Sequence, residues 1–447
     1  MTGDKAPLDI LDDLLTRVKK AGGDSADAVL FESASISVAQ RLGAPEKLER
    51  SETCDAGLRV FVGKRQAIVS STDLSDTALG AMVERAVAMA KAAPEDPYAA
   101  IADSDQIATE VPTLDIYDPT EPETEKLIEM ANAAEDAARA IPGVTNSEGA
   151  DAGWSRASIS LAATNGFAHG YQVSSNSLSA SVLAGEGTAM ERDYDFTSAV
   201  YASDLRDPEE VGRSAGERAV KRLDARKMKT TQVPVIYDWR VSGGLVRHLT
   251  GAINGVSIAR GSSFLKDRMG DQVFAPGIRI MDDPHRPRGL RSKPFDGEGL
   301  ATRPKPLIED GKLCTWLLDL ASARQLGLES TGNASRGTGG PPSPGATNVY
   351  LEAGTATPEE LIADIEEGFY VTEMIGMGVN GITGDYSRGA SGFWIEKGKI
   401  TFPVSEMTIA GNLKDMFTAM IPANDLEFRF GTDAPTVRID GMTVAGT

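Results

Sequence analysis

The order helix, strands, helix occurs twice in the first half of this chain, and that order constrains the fold more than any single motif. Leu8, Leu11, Leu14, Leu15 and Val18 recur at helical spacing and stop at Gly22-Gly23. Short apolar or alternating runs at Ala28–Phe31, Ile36–Ala39, Leu58–Val62 and Ala67–Ser70 read as strands, and Leu79, Met82, Val83, Ala86 and Val87 mark a second helix. Pro94, Pro97, Pro112 and Pro119 then punctuate an acidic connector. A helix from about Pro122 to Ala140 opens the second set. Strands Ser155–Ala163 and Phe167–Ser174 follow, joined through Asn165-Gly166, a dipeptide suited to a type I′ hairpin turn. Asp207-Pro208-Glu209-Glu210 supplies an N-cap, a first-turn proline and a capping-box glutamate for a closing helix that runs to about Asp224. We therefore expect an α+β fold with a duplicated α/β-sandwich-like unit over residues 1–228, its halves spanning about 1–95 and 120–228.

After Thr230 the character changes, and residues 229–447 are expected to form a mainly antiparallel β domain. Asp310-Gly311 and Lys397-Gly398 each sit between strand-like runs and mark hairpins. Thr357-Pro358-Glu359-Glu360 caps a short helix, while Leu426–Phe430 and Thr436–Val444 supply closing strands. The run Gly332–Gly345, GNASRGTGGPPSPG, reads as a loop, either a lid over a cleft or a solvated connector.

Composition limits the function. With 41% apolar and 25% charged residues the chain is an ordinary globular one, and no window approaches the run of about 20 apolar residues that spans a bilayer. The opening MTGDKAPLDILDDLL lacks a basic start followed by an apolar block, so a cytoplasmic location is expected. A net charge of −20 repels phosphate backbones and argues against nucleic-acid binding. The basic run Lys221–Lys229 reads as a helix C-terminus or a solvated linker, and Cys54 and Cys314 as small buried hydrophobes.

Chemistry-bearing residues are sparse. None of His169, His248 and His285 stands at a metal-ligand spacing from another. His169 reads as a strand residue and His285 as an exposed loop residue, whereas His248 lies beside an apolar stripe of Val241, Leu245 and Leu249 on a helix that follows strand Val233–Tyr237. The block Val379–Phe417 alternates glycines with polar residues. Gly381, Gly384, Gly389 and Gly392 permit positive φ and close backbone approach, so the backbone there is shaped for tight turns or for another chain lying against it.

The runs GGLVRHLTGAINGVSIARGSSFL, FDGEGLATRPKPLIEDGKLCTWLLD and STGNASRGTGGPPSPGATN, together with the Val379 block, resemble the TldD/PmbA family, specifically its TldE (PmbA) branch. That family is also described as a modulator of DNA gyrase and as microcin-processing peptidases. The resemblance implies that TldD-like members are zinc metallopeptidases with HExxxH on this helix and a cysteine near the C-terminus. Laid on that motif, the first histidine falls on Gly243, the glutamate on Gly244 and only the last histidine on His248. LEFRFGTDAPTVRID occupies the region of the cysteine. Zinc hydrolysis needs three protein ligands, an open position and a carboxylate. Without the metal, water returns from a pKa of about 7 to about 15.7, on the order of 12 kcal/mol in hydroxide availability.

The resemblance thus implies a non-catalytic subunit, with no cofactor of its own, of a complex whose zinc sits in a TldD-like partner. Its work would be cytoplasmic proteolysis of peptides or unfolded proteins, such as microcin-type precursors, and a homodimer in isolation is compatible with it. Asn380, Gly381, Gly384, Asp385, Ser387, Arg388 and Gly389 are the candidates for substrate binding, by pairing with an extended peptide, or for a subunit interface. Two alternatives remain open at this point. One is a stand-alone regulatory protein of the gyrase-modulator type; the other is a hydrolase using a serine from Ser262-Ser263 or Ser387–Ser391, although no GxSxG or SxxK pattern activates those serines.

Overall fold

A computed structural model describes residues 5–446; residues 1–4 and 447, at the outer ends of the two expected domains, lie outside it. The N-terminal half carries α1 (Pro7–Lys20), β1 (Ser25–Arg41), β2 (Ala44–Val62), β3 (Arg65–Ser71) and α2 (Asp76–Ala92). After the connector come α3 (Thr124–Arg139), β4 (Val144–Ala163), β5 (Ala168–Ala184), β6 (Glu191–Ala199) and α4 (Pro208–Lys221). All six strands form one antiparallel sheet in the order β3-β2-β1-β4-β5-β6. Each set is a meander, and the two meet where β1 pairs antiparallel with β4, so the repeated element order becomes an approximate two-fold about that seam.

Alternation explains why the helices share one face. Ala26, Ala28 and Leu30 of β1 pack with Leu11, Leu14, Val83 and Ala86 of α1 and α2. Farther along the strand, at the same parity, Ala34, Ile36 and Val38 pack with Ala131, Ala134, Val211 and Ala215 of α3 and α4. The odd positions Val29 and Phe31 face the other way, toward Phe167 and Phe295. Gly212 lets α3 and α4 approach closely, since a Cβ there would stand 1.9 Å from the Ala134 carbonyl oxygen.

The C-terminal half begins with β7 (Thr231–Tyr237), α5 (Trp239–Ala252) and α6 (Gly255–Ala259). An irregular, loop-rich stretch follows, with β8 (Ile280–Asp282), β9 (Lys305–Glu309), β10 (Lys312–Leu313), α7 (Leu320–Leu326), β11 (Ala334–Ser335), β12 (Ser343–Pro344), β13 (Val349–Leu351) and α8 (Pro358–Ile362). The chain ends in β14 (Glu367–Ile375), β15 (Asp385–Glu396), β16 (Lys399–Asn412), α9 (Leu413–Thr418), β17 (Met420–Pro422), β18 (Thr432–Asp433) and β19 (Val437–Ala445). The sheet β16-β15-β14-β7-β19-β17 gains a further β16–β19 pairing that closes it into a small barrel. Tyr237, Phe369, Trp394, Ile409, Phe417 and Ile439 belong to its core, with Leu245 and Leu249 of α5 packed in. Each such side chain contributes about 1.5–3 kcal/mol on burial.

Several expectations need correction. The Asn165-Gly166 hairpin exists, but only Gly166 has positive φ, and Asn165 Oδ1 accepts from Phe167 N, so the turn is not type I′. Asp310-Gly311 and Lys397-Gly398 do have positive φ at both positions, as a type I′ turn requires. Asp207 caps α4 by accepting from the Glu209 and Glu210 amides, without a capping box, and the helix stops at Lys221. Leu426–Phe430 is not a strand; Asp433 Oδ1 takes the Arg429 and Phe430 amides and holds that segment as a loop. Mainly antiparallel pairing holds, with parallel exceptions at β7–β14 and β13–β18.

Burial corrects others. Cys54 is half-buried and Cys314 exposed. His285 is half-buried with Nε2 2.9 Å from Thr302 Oγ1. Within the basic run, Arg222 is not solvated: it pairs with Glu373 at 2.6 Å and donates to Ser391 Oγ, joining the N-terminal half to the barrel. The Gly332–Gly345 segment is neither a lid nor a free connector. It carries the β11–β12 ladder and docks on the N-terminal sheet, where a Cβ at Gly57 would stand 2.5 Å from the Thr338 carbonyl oxygen. Its Arg336 meets Asp27, which Arg59 Nε also reaches at 2.9 Å, and Glu298 lies 3.6 Å from Arg59.

Candidate functional site

The motif region is built by a strand-to-helix turn. Asp238 caps α5 by accepting from Arg240 N, and the helix then lays its apolar side on the barrel through Leu245, Val246 and Leu249. The face that does not pack carries Gly244, Arg247 and His248, and it borders a cavity of about 470 Å³. Arg192 and Tyr194 enter that cavity from β6, Thr372, Glu373 and Met374 from β14, and Tyr386 and Arg388 from β15. The cavity therefore lies at the seam between the two halves of the molecule.

Gly243 and Gly244 differ in setting. A Cβ at Gly243 would stand 3.0 Å from the Thr432 carbonyl oxygen, so β18 occupies the place where a side chain would project. Gly244 is open, and the closest group to its Cβ direction is Arg247 Nη2 at 3.8 Å; Arg247 Nη1 is 3.7 Å from the corresponding point at Gly243. One guanidinium thus overlooks both side-chain-free positions. The segment LEFRFGTDAPTVRID comes beside α5 through the Thr432 carbonyl and carries no cysteine.

His248 meets the Tyr386 ring edge-on at 5.7 Å between centroids. Burial, then the Arg388 and Arg247 charges, lower its pKa to about 4, so the ring is neutral at physiological pH. Burial pushes Tyr386 up to about 12 and Tyr237 well above the usual phenol range. Burial, then Arg291 and Arg388, hold Arg247 below the usual arginine range, although its position at the exposed rim screens the repulsion.

The donor set does not fit zinc. A site of three nitrogen, sulfur or carboxylate ligands is needed, and among the described residues no group of three or more His, Cys, Asp or Glu could hold a metal ion. The groups whose charges act on His248 are both cationic.

The other candidates divide clearly. Arg388 faces the cavity. Asn380 Oδ1 accepts from the Ile382 and Thr383 amides, Asp385 accepts from Thr383 Oγ1 and Asn412 Nδ2, and Gly384 has φ 85°, so these residues fold the turn that enters β15. Ser387 N donates to the Gly378 carbonyl, and Gly381 and Ser387 are exposed. Gly389 and Gly392 do serve close approach, but to β14 of the same chain: a Cβ at Gly392 would stand 1.9 Å from the Tyr370 carbonyl oxygen. β15 is paired with β14 and β16 on its two sides.

The serines have structural partners. Ser263 Oγ donates to the Ala252 carbonyl at 2.6 Å, and buried Ser391 bonds Glu373 and Arg222. Ser262 Oγ reaches the Ser257 carbonyl. Sequence reasoning missed Arg247 and Arg240. The signal was present, because Arg247 stands three and four residues after the two glycines, the spacing that stacks side chains on a helix.

Models of the PmbA/TldA metallopeptidase family match in three parts: domain 1 over residues 26–90, the central domain over 117–223 and the C-terminal domain over 230–446. The chain belongs to the PmbA/TldD metallopeptidase family. It is 39% identical over 435 residues to metalloprotease PmbA of Escherichia coli O157:H7, covering 96% of this chain and 95% of that protein. A crystal structure from Bacteroides thetaiotaomicron, described as a proposed modulator of DNA gyrase, superposes with a TM-score of 0.91 at 25% identity over 98% of both chains. TldE from Thermococcus kodakarensis shares the fold, with a TM-score of 0.87 at 22% identity, covering 98% of this chain and all of that one. Within this family, the chain stands in the PmbA branch. Among the described residues, no helix is long and apolar enough to cross a membrane.

Proposed function

We propose that this chain is the non-catalytic, cytoplasmic subunit of a two-component zinc peptidase, whose metal is carried by a TldD-like partner and whose substrates are peptides or unfolded proteins. One observation carries the reading: at the motif positions of a metallopeptidase fold stand Gly243, Gly244 and a neutral His248, faced by arginines. One imidazole among guanidiniums is not a ligand set for a cation, and the carboxylate that lines the same cavity, Glu373, is engaged by Arg222 at 2.6 Å and not left free as a general base. No step of hydrolysis is assigned to these residues; their role is to shape the chamber and hold substrate. Ile375, Met377 and Ile382, 61%, 89% and 64% exposed beside the glycine-rich turn, support a subunit contact at that rim. The experiment is co-purification with a TldD-like protein, followed by peptidase assays of each chain alone and mixed. Activity is expected only where the partner is present. Chelator-sensitive hydrolysis by this chain alone would overturn the reading.

A further inference from the structure

In a chain of net charge −20 the cavity beside α5 reverses sign: it is lined by Arg192, Arg240, Arg247 and Arg388 and by one carboxylate, Glu373. Two of these arginines are neutralised, Arg240 by Asp193 at 3.0 Å and Arg192 by Glu148, and Glu373 is itself occupied by Arg222 at 2.6 Å. Arg247 and Arg388 have no ion-pair partner among the described residues, and the charges that act on Arg247 are those of Arg291 and Arg388. Arg388 makes only a long contact, Nε to the Ile375 carbonyl at 3.5 Å. Val241, Leu245, Met374 and the Tyr237 and Tyr386 rings supply apolar surface around these groups.

Two unpaired guanidiniums bordering one solvent-open cavity are free to receive an anion, and guanidinium forks match planar oxyanions two bonds at a time. We propose that this cavity is a binding site for the C-terminal carboxylate of a peptide, held by Arg247 and Arg388, with the terminal side chain against the apolar wall. The shared chemistry is an oxyanion. The apolar wall favours one attached to a peptide over a free ion, because a small inorganic anion makes no use of it. The inference deepens the subunit reading and rests on its claim that this chain holds peptide where its relatives' motif would hold metal.

The test is calorimetric titration of the full chain with an N-acetylated pentapeptide ending in phenylalanine, as free acid and as C-terminal amide, with inorganic phosphate as a third probe. The acid is expected to bind at least about 10-fold more tightly than the amide, the range of a charge-assisted hydrogen bond. Arg247→Gln and Arg388→Gln should each abolish that preference, and Arg388→Lys should restore part of it. The acid–amide comparison needs no variant, so a misfolded substitution cannot mask the answer. Equal affinity for acid and amide overturns the proposal, as does phosphate binding as tightly as the acid peptide. Co-purification with a TldD-like chain together with equal acid and amide affinity would sink this site alone. Acid-selective binding without any such partner would leave the site standing and sink the subunit reading.

Discussion

Two arginine-rich places in this molecule treat charge in opposite ways. At the junction of the N-terminal sheet with the Gly332–Gly345 segment, Arg59 and Arg336 are buried, with side chains 5% and 2% exposed, and each faces Asp27, while Glu298 completes the group. At the α5 cavity, Arg247 and Arg388 face each other's field and no free carboxylate. The first arrangement is what a fold needs, because a buried cation without a partner costs several kcal/mol. The second leaves charge uncompensated where water and ligands enter. The difference separates structural arginines from arginines available to a ligand.

The comparison breaks most easily at Asp27. Asp27→Ala removes the carboxylate that both buried guanidiniums face, leaving Arg59 only Glu298 at 3.6 Å, and is expected to cost about 3–5 kcal/mol, read as a lower midpoint in urea unfolding. If that loss is below about 1 kcal/mol, the junction is not a structural charge pair.

A smaller effect sharpens the cavity side. His248 has a folded pKa of about 4, below its unfolded value near 6.5. The unfolded chain therefore binds more protons between those limits, so stability is complete above about pH 6.5 and falls as pH drops toward 4. Allowing for partial solvent access, the loss is on the order of 2 kcal/mol. His248→Phe, which keeps the Tyr386 ring contact, should flatten that part of the pH–stability curve; an unchanged slope would place the titration elsewhere.

Smaller still, Gly243→Ala sets a Cβ 3.0 Å from the Thr432 carbonyl oxygen. Its helix propensity gain of about 1 kcal/mol is offset by that contact, for a net loss of about 1 kcal/mol in thermal unfolding, whereas Gly244→Ala, facing open space, should stabilise. Last, Arg247→Gln should change stability by no more than about 0.5 kcal/mol, in contrast to Asp27→Ala.

Helices and the barrel hairpins were legible because local chemistry decides them. The Leu11, Leu14, Leu15, Val18 spacing and the paired positive φ of Lys397-Gly398 need no distant partner. Leu426–Phe430 failed for the opposite reason: its β-like composition lost to the Asp433 carboxylate, which takes two amides of that segment. Arg388 was found through its glycine-rich surroundings, but Arg247 was not, because beside a histidine on an amphipathic helix an arginine reads as solvated surface. Only the fold brings it to a cavity shared with a strand about 140 positions later. That Gly243 and Gly244 offer no side chain is plain in the sequence; that the Arg247 guanidinium overlooks both positions was not.

Zinc stoichiometry tests the central claim most directly. The purified chain is incubated with equimolar zinc, passed over a desalting column and assayed for bound metal. The arginine-lined cavity predicts far less than one zinc per chain, the same for the native sequence and for His248→Ala. One zinc retained per chain, lost on replacing His248 and accompanied by peptide hydrolysis in the absence of any partner, would contradict the account.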